Sequence, residues 1–520
     1  MPIRPFAARL SSSAWSAIAF LLLLVSLSTD SVDMMEAQTW AYARQSTFSG
    51  FCHVLASDHT PVAQMPLGMF SFWTWSRAFG TGEFAMRSLN LLWAAIALAA
   101  LARIGRQLSI PWLPALFAIQ PFVFYYMDYA RSPFMQIAGG TLILTGALGY
   151  MVRRDTPDAA GGVLLCLGAI LLSGASVFGM VPVAAVVIGL SAHGIWQRIH
   201  LPRWEKVIAF TTAIFMAGLA TYYILTFLRE SGGSCLWSVS LANIAFVVYE
   251  FMGFQGLGPG RQDLRAIMKG FVSSKELLPF LPGLLLLAAS YVLIFAATFK
   301  SWMTRESIRP IVSGAAPMQR ASTSTRSIAL IQPWIMGFGV PLLSAILLYI
   351  LSTATSTPFW GRDLAGAFPF WILGLGITIH WARQGLWRMS GRRSAIAVFV
   401  LLLTSSLLIR FAPWHKHDDY RGAAVQAERI SAKGRIVWWV ADRSAASFYG
   451  LPLSENPSGE PGEIQFAMNR SEPGFPDAII LSRRDIFDSF GVALRLIECG
   501  SYQKTQSLQA FDIWERPTTR

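Results

Sequence analysis

"PLGMFSFWTWSRAFGTGEFAMR", residues 66–87, separates the first two long apolar runs of the chain, and its reading decides the side of every later loop. A helix needs about 20 apolar residues to cross a bilayer. The aromatic-dense part, Gly68–Phe79, is shorter than that. If it crossed, every subsequent loop would change sides. Basic residues say it does not. Arg103 and Arg106, then Arg153 and Arg154, then Arg198, Arg203 and Lys206 fall in alternate loops. So do Lys300, Arg305, Arg309, Arg320 and Arg326, and lastly Arg383, Arg388, Arg392 and Arg393. With the N-terminus inside, all of them face the cytoplasm, as basic loops prefer. The Gly68–Phe79 segment then lies in or near the outer interface. Trp73 and Trp75 suit that depth, with an apolar ring and a polar N–H.

The rest of the chain agrees. Of its 520 residues 54% are hydrophobic and only 14% charged, and the mean hydropathy is +0.46. Soluble domains carry about 25% charged residues. Apolar runs near 13–29, 85–102, 110–126, 133–152, 160–174, 177–196, 207–228, 278–299, 329–352, 365–382 and 394–411 read as spans. The expectation is an all-α polytopic membrane bundle of about eleven transmembrane helices, N-in and C-out. The first run is read as an anchor rather than a cleaved signal, because no small-residue cleavage site clearly follows it. The net charge of +13 is accounted for by topology and calls for no nucleic acid. Residues 1–411 form the membrane domain. Residues 412–520 change composition, alternating helix and strand patterns, and read as a small extracytoplasmic α/β domain.

Acidic residues collect on the outer side. The loop 29–84 holds Asp30, Asp33, Glu36, Asp58 and His59. Asp33 and Glu36, three apart, share one face of any helix starting there. They fit a capping box, with Asp30 another N-cap candidate. They equally fit a general base for a hydroxyl, or a cation site. Asp128 and Arg131, in "PFVFYYMDYARSPF" (121–134), belong to a second outward loop and could pair locally. Arg362, in "TPFWGRDLAGAFPFWILGLG" (357–376), stands at an outer span boundary, as an interface anchor or a phosphate ligand. The loop 229–277 is rich in Gly and Pro and reads as irregular, with Arg261, Arg265, Lys269 and Lys275 as cations lacking obvious partners. The four cysteines form no framework. Cys52 and Cys235 both fall on outer loops, and their pairing is left open. There is no CxxC, HExxH or paired-His spacing, so nothing marks a zinc site. A divalent cation on Asp33, Glu36 or Asp128 stays open.

"SVDMMEAQTWAYAR" followed by "DHTPVAQMPLGMFSFWTWSRAFGTGEFAMR" resembles the first outer loop of the C-type membrane glycosyltransferases. Among these are the polyprenyl-phosphate-mannose protein mannosyltransferases and the lipid A aminoarabinose transferases. In that family an Asp-Glu motif precedes a His-Pro-Pro-Leu stretch, then Phe-Gly, a Glu and an Arg opening the second span. Glu36, Pro66, Leu67, Phe79, Gly80, Glu83 and Arg87 match. Met35 stands at the Asp, leaving Asp33 as the nearby acid, and Gln64 with Met65 replaces His-Pro. "YYMDYAR" is similar to the family's second acidic motif, with Tyr129 at the Glu, Asp128 one residue earlier, and Ala130 and Arg131 matching. Arg362 matches a third motif, with Asp363 replacing a Tyr.

The resemblance implies an inverting sugar transfer from a polyprenyl-phosphate donor to an acceptor hydroxyl on lipid, glycan or protein. Its place is the periplasmic face of a bacterial inner membrane. Asp33, Glu36 and Asp128 are the catalytic candidates; Arg362, Arg131, Gln64 and His59 are the substrate-binding ones. No cofactor is implied with certainty. A flippase of lipid-linked sugars would show charged residues within spans and inverted repeats, and neither stands out. A non-catalytic scaffold is kept open by the altered motifs.

Overall fold

A computed structural model of the chain describes residues 11–58, 60–152, 159–197, 203–229, 239–260, 264, 267, 273–303, 323–383, 388–454, 460, 462–466, 475–488 and 490–517. His59, Cys235, Arg261, Arg265, Lys269 and most of the linker 313–327 lie outside them.

Among the described residues eight helices are long and apolar enough to cross a membrane, which makes this a multi-pass membrane protein. They correspond to eight of the eleven expected spans. The other three are shorter or broken. The first is a helix of 15 residues, Ser12–Ser26 (α1). Another is a helix of 17, Ala159–Ala175. The run 110–126 is two helices, Leu113–Ala118 and Pro121–Met127. Pro121 explains the break. The residue before a proline is driven out of helical geometry, and Gln120 is extended, with ψ 129°. The helix 203–229 leaves Val207, Phe210 and Ile214 exposed, the apolar outer face that lipid requires.

The first outer loop is itself helical. Met34–Ala43 (α2), Phe48–Ser57 (α3) and Pro66–Phe79 (α4) precede the span Glu83–Gln107 (α5). The opening stretch is thus α4 and the start of α5. Pro66 opens α4 at a position where its missing N–H is no loss. Gly80 ends it at φ 87°, ψ −177°, a conformation essentially reserved for glycine. α4 packs along α2: the Trp73 indole donates to the Gln45 carbonyl at 2.8 Å and the Ser76 hydroxyl to that of Ala43 at 2.7 Å. At its start, a Cβ on Gly68 would come 2.8 Å from Ser132. α4 therefore lies across one end of the bundle as a shelf. Phe48, Phe51, Phe70 and Trp73 cluster on it, with Phe48 and Phe70 exposed.

Two corrections follow. The loop 229–277 is not wholly irregular, because Leu241–Phe251 is a helix entered through a bond from the Ser240 N–H to the Asn243 side chain at 2.9 Å. Asp30 is not an N-cap. It pairs with Arg410 at 3.5 Å instead.

The C-terminal segment forms a six-stranded sheet: Val437–Val440 (β1), Leu453–Ser454 (β2), Ile464–Phe466 (β3), Ala478–Ser482 (β4), Gln503–Leu508 (β5) and Phe511–Glu515 (β6). The order is β2-β3-β1-β4-β6-β5, with the first four strands parallel and β6 antiparallel to both its neighbours, β4 and β5. β1 and β4 are buried throughout, which is why "VWWV" and "AIILS" run apolar without alternation. The apolar cluster on one face takes in Val32 and Ala37 from the first loop. Sheet and loop share a core.

Candidate active site

The site is built outward from Arg87. One turn into α5, its side chain is fully buried. A buried guanidinium has to be surrounded by acceptors. Nε and Nη2 reach the two Glu36 oxygens at 2.8 and 2.6 Å, the two-pronged geometry that arginine and carboxylate share. Its remaining donors meet the carbonyls of Asp30 and Ser31 at 2.9 and 3.2 Å. Asp128 stands 3.8 Å away. Arg87 thereby ties the chain between α1 and α2 to the wall of the bundle.

Glu36 is occupied on every side. Besides Arg87 it accepts from the backbone of Asp33 at 3.1 Å and of Ala130 at 2.8 Å. Burial alone would raise its carboxyl, but the Arg87 guanidinium outweighs burial and holds it far below the usual range. Such a carboxylate is a poor proton acceptor. Its work is to hold two loops together.

Asp33 is the N-cap of α2, and with Glu36 it makes a full capping box. The cap uses one oxygen: Oδ1 accepts from the backbone of Met35 at 2.8 Å and of Glu36 at 2.9 Å. Oδ2 makes no hydrogen bond among the described residues, and the side chain is half-buried. Burial, then the neighbouring Glu36 charge, pushes the Asp33 carboxyl up. Structural and chemical roles therefore coexist on one side chain, one oxygen for each.

Asp128 is brought to the same place but tied down. Both its oxygens accept from Ser28, through the backbone N–H and the hydroxyl, each at 2.6 Å. Burial raises its carboxyl despite Arg87 and His417. Arg131, three residues on, does not pair with it. The guanidinium is buried, bonds the Met35 carbonyl at 3.0 Å and the Gln38 side chain at 3.4 Å, and has no carboxylate within ion-pair distance among the described residues. Burial, and also the nearby Arg362, pull its pKa down; Tyr129, Asp33 and Asp363 lie within electrostatic reach. Arg362, partly exposed, sits on the turn Gly361–Ala367, with Asp363 at 3.8 Å. Asp363 pairs with Arg362 through Oδ1 and accepts the Trp360 N–H at 2.8 Å through Oδ2. Asp33, whose Oδ2 has no hydrogen bond among the described residues, and the guanidinium groups of Arg131 and Arg362 all lie within electrostatic reach of Tyr129.

Gln64 is buried in the turn before α4. Asp33, Glu36 and Asp128 do not make a metal cage: Glu36 serves Arg87 and Asp128 serves Ser28, and no cluster of three or more metal-ligating side chains occurs among the described residues. Sequence reasoning missed His417. It enters from the C-terminal segment, 3.6 Å from Glu36 and 3.8 Å from Asp128. Burial works against its charged form, but the carboxylates prevail and its pKa is raised. A histidine beside two acids distant in sequence gives no local signal. Glu83, matched as a motif residue, is a docking group instead: Tyr449 donates to it at 2.7 Å and Arg421 pairs with it.

No family model matches the chain, and no curated protein does. Among solved structures it is similar to ArnT from Cupriavidus metallidurans. The form bound to undecaprenyl phosphate has 12% identity, covers 98% of this chain and 98% of that one, and gives a TM-score of 0.48. The apo form has 13% identity, covers 96% and 97%, and gives 0.49. The arabinofuranosyltransferase AftD from Mycobacteria has 13% identity, with 98% of this chain covering 40% of that one, at 0.43.

Proposed function

We propose that the chain transfers a sugar from a polyprenyl-phosphate donor to an acceptor hydroxyl at the outer face of a bacterial plasma membrane. One observation carries the reading: the half-buried Asp33, with a raised pKa and an oxygen that makes no hydrogen bond among the described residues, lies within electrostatic reach of Arg131, a buried cation with no carboxylate at ion-pair distance among them. The motif residues that match, Glu36, Arg87, Arg131 and Arg362 among them, support it.

Each group has one part. Asp33 Oδ2 removes the proton of the acceptor hydroxyl. The acceptor oxygen attacks the anomeric carbon in line, the bond from that carbon to the phosphate oxygen breaks, and the phosphate leaves with the electron pair. The configuration inverts. Arg131 and Arg362 offset the charge that develops on the phosphate, where preorganised donors act most strongly. Glu36, Arg87 and Asp128 keep the two loops together. A lipid tail confines the reaction to headgroup depth, beside the α4 shelf. The direct test is purified protein in liposomes with a radiolabelled polyprenyl-phosphate sugar, following release of polyprenyl phosphate. Release is expected; none with any such donor would refute the proposal.

The outer placement rests on the basic loops. Reporter fusions after Arg154, Arg203 and Arg393 are expected to read cytoplasmic, and a fusion at Arg520 to read external. A cytoplasmic C-terminus would put the site on the wrong side.

Arg362→Ala is expected to slow transfer at least about tenfold. A charge-assisted bond to phosphate contributes about 1.5–3 kcal/mol, and about 1.4 kcal/mol is a factor of ten. Arg362→Lys should recover only part, because an ammonium lacks the fork. Wild-type transfer by Arg362→Ala would make this arginine an interface anchor.

A further inference from the structure

Three residues beyond Arg87 on α5 is Asn90, on the same face of the helix and fully buried. Its Nδ2 donates to three backbone carbonyls: Tyr126 at 3.1 Å, Met127 at 3.1 Å and Tyr129 at 2.9 Å. The first two belong to the last turn of the helix Pro121–Met127. Carbonyls there have no partner within their own helix. Asn90 thus caps, from a neighbouring helix, the end from which Asp128, Tyr129 and Arg131 emerge. The Tyr129 carbonyl it holds also accepts the Arg131 N–H at 2.7 Å. Arg131 is one bond removed from Asn90.

We infer that Asn90 is a positioning residue that sets the Tyr126–Arg131 turn and, through it, the Arg131 guanidinium. Arg87 fixes the first acidic loop through Glu36; Asn90 fixes the second. One buried face of α5 aligns both. Asn90 does not approach the proposed substrate, so its effect on transfer passes through the turn. An amide supplies two donors from one small group, which is what closely spaced carbonyls need.

The inference rests on Arg131 meeting the donor phosphate, and its test separates the two. Hydrogen exchange is followed in a peptide covering residues 121–134 of the purified full chain, alongside transfer kinetics. Asn90→Ala is expected to speed exchange in that peptide, leaving the β1 and β4 strands unchanged. It should lower kcat about tenfold, the scale of one weakened charged hydrogen bond, with KM for the donor little altered, because Arg131 acts on charge that develops during transfer. In an Arg131→Ala background the same change should cost less than about twofold, since groups acting through one contact are not additive. If Asn90→Ala does not fold, Asn90→Ser keeps one donor and is expected to show the same pattern more weakly. Equal losses in both backgrounds would overturn the route through Arg131. Unchanged exchange in the 121–134 peptide would overturn the hold on the turn, whatever the activity. Wild-type transfer by Arg131→Ala alone would remove the donor-site reading and the route through it, while accelerated exchange in Asn90→Ala would still show the cap.

Discussion

Asp33→Asn is expected to fold as the parent does and to lose transfer by about 100- to 10,000-fold, the range a positioned general base contributes. Both halves of this expectation come from the two oxygens of one side chain. Oδ1 caps α2 by accepting from Met35 and Glu36. Asparagine keeps that oxygen and is as good an N-cap as aspartate. Oδ2, which makes no hydrogen bond among the described residues, becomes an amide that cannot take a proton. Asp33→Ala would lose the cap as well, at about 1 kcal/mol, so the asparagine variant isolates the chemistry. The pH profile adds a second check. Burial and the Glu36 charge raise the Asp33 carboxyl above its ordinary 3.8. The base must be deprotonated to act, so transfer should fall on the acid side at a pH above that value. Residual activity in Asp33→Asn should lack this limb. Transfer at the wild-type rate by a well-folded Asp33→Asn would reduce the residue to a cap.

How much of this was legible in the sequence depends on the distance over which each feature is encoded. The span Glu83–Gln107, the shelf helix Pro66–Phe79 and the capping box at Asp33 and Glu36 are local: a run of apolar residues, a proline and a glycine, two acids three apart. Each was readable. The break at Gln120 was carried by a single proline inside an apolar run, and hydropathy does not register it. β2 and β3, of two and three residues, are too short for a period to show. The division of labour between Asp33 and Glu36 was not readable at all. It depends on which carboxylate meets Arg87, 51 positions from Glu36 along the chain. The same holds for Asn90, whose three carbonyls lie 36 to 39 positions away, and for His417, brought in from the far end. Residue type suggested acid chemistry; only the fold says which acid is free.

Arg87→Met is expected to be the most damaging single change to stability, by about 3–5 kcal/mol, the cost of stranding a buried charge by removing its partner. Glu36 would be left with neither prong of its partner, and the Asp30 and Ser31 carbonyls would lose their donors. Folding stabilities are typically about 5–15 kcal/mol, so the variant should give little monodisperse protein and a much lowered thermal midpoint. Arg87→Lys should rescue little, because an ammonium cannot span both Glu36 oxygens and the carbonyls together. The diagnostic is the double variant. Arg87→Met with Glu36→Gln removes both charges, and it should be more stable than Arg87→Met alone, since no uncompensated carboxylate remains. Acid sensitivity follows with a definite sign. Arg87 holds the Glu36 carboxyl below its ordinary 4.5, so the pair's contribution is complete above that pH and is lost as the pH falls further. Glu36→Gln should therefore flatten the acid side of the stability curve. A thermal midpoint for Arg87→Met equal to the parent's would show that the loops around residues 28–36 and 128–131 are held by something other than this pair.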